Sequence, residues 1–229
     1  MRPWAVLDRV AGHDGLLELR QRDGHFVIAL DGRILMASRA SSSEAHLGAL
    51  VAQRLPAGPA PRLLLGGLGM GITLRAALEK LPPRASVEVV ELNAVVLEWC
   101  RGPLAGLTGD AISDRRVRVV VGDVAERIRA ASTSPGRGRF EGIALDLYEG
   151  VRPTPRPADD PVYGTAALAR AHATLTRGGV FGRWSEQPDP AFARRLARAG
   201  FAVQSERVGS GGRRHALCLG VALPVSRAC

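Results

Sequence analysis

Six residues, Gly66-Gly67-Leu68-Gly69-Met70-Gly71, carry the most pointed chemical signal in the sequence. They leave the apolar run Arg62–Leu65 and enter a helical pattern over Ile72–Leu81. Glycine at such a turn lets the backbone fold tightly and approach a nucleotide with no Cβ in between. Glu91 stands 20 positions after Gly71, at the end of the next apolar run, Ser86–Val90. A carboxylate there can accept from both hydroxyls of a ribose. Gly122 and Asp123 follow a third run, Val117–Val121, and Asp146 ends a fourth that begins at Phe140. Taken singly, each carboxylate could be a solvated strand end and the glycines a close strand–helix turn. Together they set glycines or carboxylates at four consecutive strand ends, and open α/β sheets bind their ligands at that edge.

The elements that must position these groups follow from periodicity. Residues 15–37 alternate and turn as a small β-meander of three strands, with the hairpin signals Asp23-Gly24 and Asp31-Gly32 between them. Ser41 and Glu44 have the spacing of a capping box, which starts a helix running to about Leu55. Pro56–Pro61 breaks that helix. From Arg62 onward, short apolar strands alternate with helices at Ile72–Leu81, Ala94–Arg101, Val124–Ala131, Thr165–Leu175 and Pro190–Ala199. A strand at Gly179–Trp184 and a terminal hairpin, Phe201–Val208 with His215–Ala222, complete the pattern. This predicts an α/β fold, a doubly wound and mostly parallel sheet with helices on both faces. The organisation expected is a meander over 1–40, a capped helix and linker over 41–60, and a nucleoside-binding Rossmann-like domain over 61–229.

Composition narrows the function classes. The chain has 229 residues and a formal net charge of +9, with Lys80 the single lysine among 31 basic residues. The arginines are spread along the chain with no block and no aromatic interleaving, so the charge reads as a solvated surface rather than a nucleic-acid interface. No apolar run approaches the roughly 18 residues that span a bilayer, and the first residues lack a secretory apolar core. Cys100, Cys218 and Cys229 form no metal-ligand spacing, and the five histidines form no pair one helical turn apart. The expectation is a cytoplasmic protein with reduced thiols and no metal site.

From about Leu30 to Ala222 the chain resembles the spermidine synthase family, on the S-adenosylmethionine-dependent methyltransferase type of fold. The residues that carry the likeness are the glycine loop, Glu91, Asp123, Asp146, the Leu175–Val180 turn, the terminal hairpin and the leading meander. The resemblance implies a seven-stranded sheet whose last inserted strand is antiparallel, and a homodimer. It also implies a sulfonium nucleoside donor, S-adenosylmethionine or its decarboxylated form. Gly67, Gly69 and Gly71 would lie at the donor's amino-acid portion, Glu91 on its ribose and Asp123 near its adenine. The family's Asp-x-x-Asp is Asp146-Leu147-Tyr148-Glu149 here, so Asp146 would take the proton of an attacking amine, with Glu149 as second carboxylate. Tyr148 between them has two readings, a ring facing the cation and a simply packed tyrosine.

Other family positions differ. Aligned without gaps, the family's glutamine falls on Leu35 and its Tyr-His-Glu on Glu44-Ala45-His46. Gly69 stands where the glycine loop carries an aspartate for the donor's amine. With that carboxylate gone, the reading favoured is methyl transfer from intact S-adenosylmethionine to a small nucleophile, an amine. The alternatives are aminopropyl transfer from the decarboxylated donor, with an acceptor pocket made of Asp146, Glu149, Asp159 and Asp160, and a nucleoside-binding module without catalysis. Residues 151–161 would lie where a lid over the acceptor belongs, or form an ordinary exposed loop. Arg183, Trp184 and Glu186 would reach the same mouth, with core packing the simpler role for Trp184.

Overall fold

In a computed structural model the described residues are 2–133, 139–148, 157–209 and 214–224. The N-terminal part is a four-stranded antiparallel sheet, ordered as in sequence: β1 (Ala5–Ala11), β2 (Leu16–Arg22), β3 (His25–Leu30) and β4 (Arg33–Ala37). Both Asp-Gly turns adopt positive φ at each position (48° and 77° at Asp23 and Gly24, 48° and 79° at Asp31 and Gly32), the geometry that matches strand twist. The meander therefore has one strand more than its sequence predicts. β1 is an edge strand that is mostly exposed, and its register shifts between Val6 and Asp8, so it shows no apolar alternation.

Helix α1 (Ser42–Gln53) leads into the second unit. That unit runs β5 (Arg62–Gly66), α2 (Ile72–Leu78), β6 (Ser86–Glu91), α3 (Ala94–Arg101), the short α4 (Ala105–Thr108), β7 (Val117–Val121), α5 (Val124–Ser132) and β8 (Phe140–Leu145). It continues with α6 (Thr165–Thr174), β9 (Leu175–Ser185), α7 (Pro190–Arg198), β10 (Phe201–Val208) and β11 (His215–Ala222). Its seven strands are ordered β10-β11-β9-β8-β5-β6-β7. β11 inserts between β9 and β10 and is antiparallel to both, while the other pairs are parallel.

The capping box does not form. Ser41 donates its hydroxyl to the Ser38 carbonyl (3.1 Å), and the Glu44 carboxylate instead accepts from the Ser43 hydroxyl (2.6 Å). The reason lies in burial. Ser43, Glu44, Leu47, Gly48 and Val51 form the covered face of α1, so Glu44 points inward with the apolar residues. Gly48 allows the closest helix approach, since a Cβ there would stand 2.1 Å from the Thr73 carbonyl of α2.

Two apolar cores lie on the two faces of the large sheet. Leu47, Val51, Leu63, Leu65, Leu74 and Trp99 fill one, together with Leu17, Leu19 and Ile28 of the small sheet. Leu64, Ile128, Leu145, Leu168, Phe181 and Phe192 fill the other. Two polar ties fix the small sheet to the large unit: the Trp99 indole donates to Asp8 Oδ2 (2.7 Å), and the His13 amide donates to Asn93 Oδ1 (2.8 Å). No helix among the described residues is long and apolar enough to cross a membrane.

Candidate active site

A cavity of about 360 Å³ opens at the ends of β5, β6, β7 and β8, and the small sheet forms its opposite wall with Leu17, Ile28, Leu35 and Met36. Of the residues singled out in the sequence, Gly67, Gly69, Glu91, Gly122, Asp123, Asp146 and Tyr148 line it. Gly66 and Gly71 do not: each works one step back. A Cβ on Gly66 would press on Leu145 Cδ2 at 2.7 Å, and Gly71 opens α2 with φ 78°. Glu149 lies outside the described residues, as does most of the expected lid.

The loop's geometry shows why glycine is required. Gly67 has φ +84°, and a Cβ there would stand 2.2 Å from the Asp146 carbonyl oxygen. The Asp146 amide donates to the Gly66 carbonyl (2.9 Å), so the loop and the end of β8 lie backbone to backbone. Gly69, at φ +51°, faces the Met36 methyl in the same way, with a Cβ 2.7 Å away. Glu91 braces the loop: its two oxygens accept from the Leu68 amide (2.8 Å) and the Asn93 amide (2.9 Å). A carboxylate has about four lone-pair sites, so Glu91 retains acceptors for two hydroxyls facing the cavity. Asp123 accepts from the Ala125 amide at Oδ1 (2.7 Å) as the cap of α5. Beneath the loop, the Cys100 thiol donates to the Gly69 carbonyl (3.3 Å). Burial first, and Glu91 second, push that thiol up to about 12, so it is inert.

Asp146 is the site's titratable centre. Burial and then the nearby Glu44 charge push its carboxyl up to about 7, against a hydrogen bond from the Thr73 hydroxyl to Oδ2 (2.5 Å). Glu44 lines the same cavity, and sequence reasoning missed it by treating it as a helix cap. The available signal was the spacing 44, 47, 48, 51, which puts a carboxylate on a core face. Thr73, 1% exposed, was missed as well, because a threonine inside a helix carries no periodic signal.

Trp184 and Glu186 reach the cavity, and Glu186 stands 3.8 Å from Arg33. Arg183 does not reach it. It is fully buried, its guanidinium 4.4 Å from the Tyr163 and Phe192 ring centroids and 3.2 Å from Asp189 Oδ2. Asp160 is a turn residue whose Oδ1 accepts from the Val162 and Tyr163 amides, and Asp159 is exposed; neither lines the cavity. Charge on the described lining is one-sided. Asp14, Glu44, Glu91, Asp123, Asp146 and Glu186 are acidic, His13 is the one basic type, and no lysine or arginine is among them.

No protein-family model matches the chain, and no curated protein does. Solved structures do. Spermidine synthase from Thermotoga maritima superposes with a TM-score of 0.73 at 18% identity, covering 94% of this chain and 72% of that one. A spermidine synthase in complex with the transition-state analogue AdoDATO gives 0.72 at 19% identity, with the same coverages of 94% and 72%. A probable spermidine synthase from Corynebacterium glutamicum ATCC 13032 gives 0.67 at 18%, covering 95% and 80%. The small antiparallel sheet and the seven-stranded sheet thus make up the spermidine synthase fold.

Proposed function

We propose that the protein transfers an aminopropyl group from decarboxylated S-adenosylmethionine to a small amine. The observation that carries this reading is the cavity's charge: six carboxylates and no lysine or arginine among the described lining residues. Methyl transfer, favoured by the sequence alone, would bring an α-carboxylate into that field beside Asp146 and Glu44. Like charges there cost affinity, whereas the ammonium groups of an amine and of a decarboxylated donor are matched.

The cradle fits such a donor. Gly67 and Gly69 line the cavity with backbone alone, in a loop that packs against Asp146 and Met36 as only glycine allows, Glu91 has acceptors for ribose hydroxyls, and Asp123 Oδ2 remains for an exocyclic amine. The donor supplies an electrophilic carbon next to a positively charged sulfur. The protein supplies alignment and a proton acceptor. An amine arrives as ammonium and has no lone pair to attack with. Asp146 Oδ2 is engaged by Thr73, which leaves Oδ1 to orient the amine and take its proton. The N–C bond then forms as the S–C bond breaks, and the thioether nucleoside leaves. Tyr148, exposed on the cavity lining, supplies an aromatic ring for the cation.

Calorimetry with intact and decarboxylated S-adenosylmethionine, followed by transfer assays over putrescine and other amines, tests the reading. The decarboxylated donor is expected to bind at least about tenfold more tightly, equivalent to about 1.4 kcal/mol. Tighter binding of the intact donor with methyl transfer would overturn the reading, and so would binding of neither. Because Asp146 must be ionised to accept a proton, kcat/KM should rise with pH through a limb near the carboxyl's value of about 7. A flat profile between pH 5.5 and 8.5 would remove Asp146 as the base.

A further inference from the structure

Behind Glu44 lies a hydrogen-bonded cluster that the reaction above does not use. The Ser43 hydroxyl stands 2.6 Å from Glu44 Oε2, 2.8 Å from His215 Nδ1 and 3.0 Å from the Trp184 indole nitrogen. A hydroxyl has one proton to give and two lone pairs to receive with. The indole can only donate, so it fills one lone pair. The carboxylate can only accept, so it takes the proton. His215 is then left with the second lone pair, which makes its Nδ1 the protonated nitrogen. Every position on Ser43 is used, and Glu44 is held with one oxygen tied back. The Trp184 and His215 rings also pack together, with centroids 4.8 Å apart. Glu44 is 5% exposed, and a carboxylate so deeply placed, with no ion pair to it among the described residues, needs a reason.

We propose that Glu44 is a positioning residue for the acceptor. Held by Ser43, Trp184 and His215, it keeps a second negative charge beside Asp146 that draws in the ammonium and strengthens Asp146 as the proton acceptor. This rests on the aminopropyl-transfer reading. An ordinary aspartate is a poor base for an amine, and a neighbouring anion narrows that gap. Thr73 acts in the opposite direction. Its hydroxyl, 2.5 Å from Asp146 Oδ2 and 3.2 Å from the Glu44 carbonyl, stabilises the ionised form and joins the two carboxylate-bearing elements. The other titratable groups on the cavity are His13 and Asp14 from the β1–β2 turn, Glu91, Asp123, Tyr148 and Glu186. Asp146's raised carboxyl, with Glu44 second among its causes and Thr73 opposing, agrees with this assignment.

The test uses Glu44→Gln, Ser43→Ala, Thr73→Val and Glu44→Asp in the full chain, read in two ways. In the ligand-free protein, carbon-13 NMR follows the Asp146 carboxyl through its titration. In the transfer assay, the acid limb of kcat/KM and KM for the amine are measured. Glu44→Gln should move the titration and the limb to lower pH by about half a unit or more and raise KM roughly tenfold. Ser43→Ala should do the same to a smaller extent, and Glu44→Asp should restore part of it. Thr73→Val should move both to higher pH. Opposite shifts are what a merely structural role cannot produce. Normal transfer by the wild type, with no shift and no KM change in Glu44→Gln, would overturn the proposal and leave aminopropyl transfer intact. If the wild type transfers nothing, opposite NMR shifts would keep the carboxylate coupling and fail the reaction, and no shifts would fail both.

Discussion

Asp146→Asn is expected to lower turnover by about 10²–10⁴-fold while donor affinity stays within a few-fold of wild type, the range general-base removal produces. The amide keeps the size of the carboxyl and can still accept from Thr73, so the cavity survives, but it cannot take the amine's proton. Single-turnover rates beside donor calorimetry separate the two effects, and unchanged turnover would remove Asp146 from the mechanism. The same variant should be more stable than wild type at pH 8. Asp146's carboxyl titrates at about 7 in the fold against an ordinary 3.8. Between those values the folded chain holds a proton that the unfolded chain has released, so wild-type stability falls as pH rises through that window and stays low above it. The slope is at most about 1.4 kcal/mol per pH unit. Asparagine carries no such penalty. Its melting temperature should exceed wild type by several degrees at pH 8, and the gap should close towards pH 4.

Gly67→Ala is expected to abolish donor binding and to cost on the order of 3 kcal/mol, a fall in melting temperature of about 6–12 °C. Two effects combine. The backbone at φ +84° disfavours any side chain, and the new Cβ would lie 2.2 Å from the Asp146 carbonyl oxygen, which is backbone and cannot swing away. Gly24→Ala is the matched control. It has φ +77° with nothing within 4 Å of an added Cβ, so it pays the backbone cost alone, about 1 kcal/mol. Equal losses in the two variants would show that the close approach at Gly67 is unimportant.

The parallel part of the fold was legible because its strands write themselves as apolar runs: Arg62–Leu65, Ser86–Val90 and the half-exposed edge run Val117–Val121 all appear as β5, β6 and β7, with Glu91, Asp123 and Asp146 at one edge. Less legible was whatever depends on contacts made across the molecule. β9 begins at Leu175, earlier than the apolar run suggests, because Leu175 pairs with Phe140 ahead of an irregularity in the register. Arg183 reads as a residue for the cavity mouth, yet a partner six positions later and two aromatic rings make full burial tolerable. Glu44 has the spacing of a local cap, and only the face it shares with Leu47 and Val51 reveals that it turns inward. Local chemistry and tertiary position compete for the same residue there, and burial decides.

The buried Cys100 gains a different meaning once the cavity is assigned to an alkylating donor. A sulfonium reagent held one loop away from a thiol endangers its own protein if the sulfur can ionise. With the thiol pushed up to about 12, only about one molecule in ten thousand carries a thiolate at pH 8. Its proton is also committed to the Gly69 carbonyl. On the proposed aminopropyl-transfer reading, the protein stores a latent nucleophile beneath the donor and keeps it disarmed for as long as the glycine loop is seated. Iodoacetamide should label Cys100 slowly in the native chain and faster in Gly67→Ala, so that one sulfur reports whether the cradle is shut.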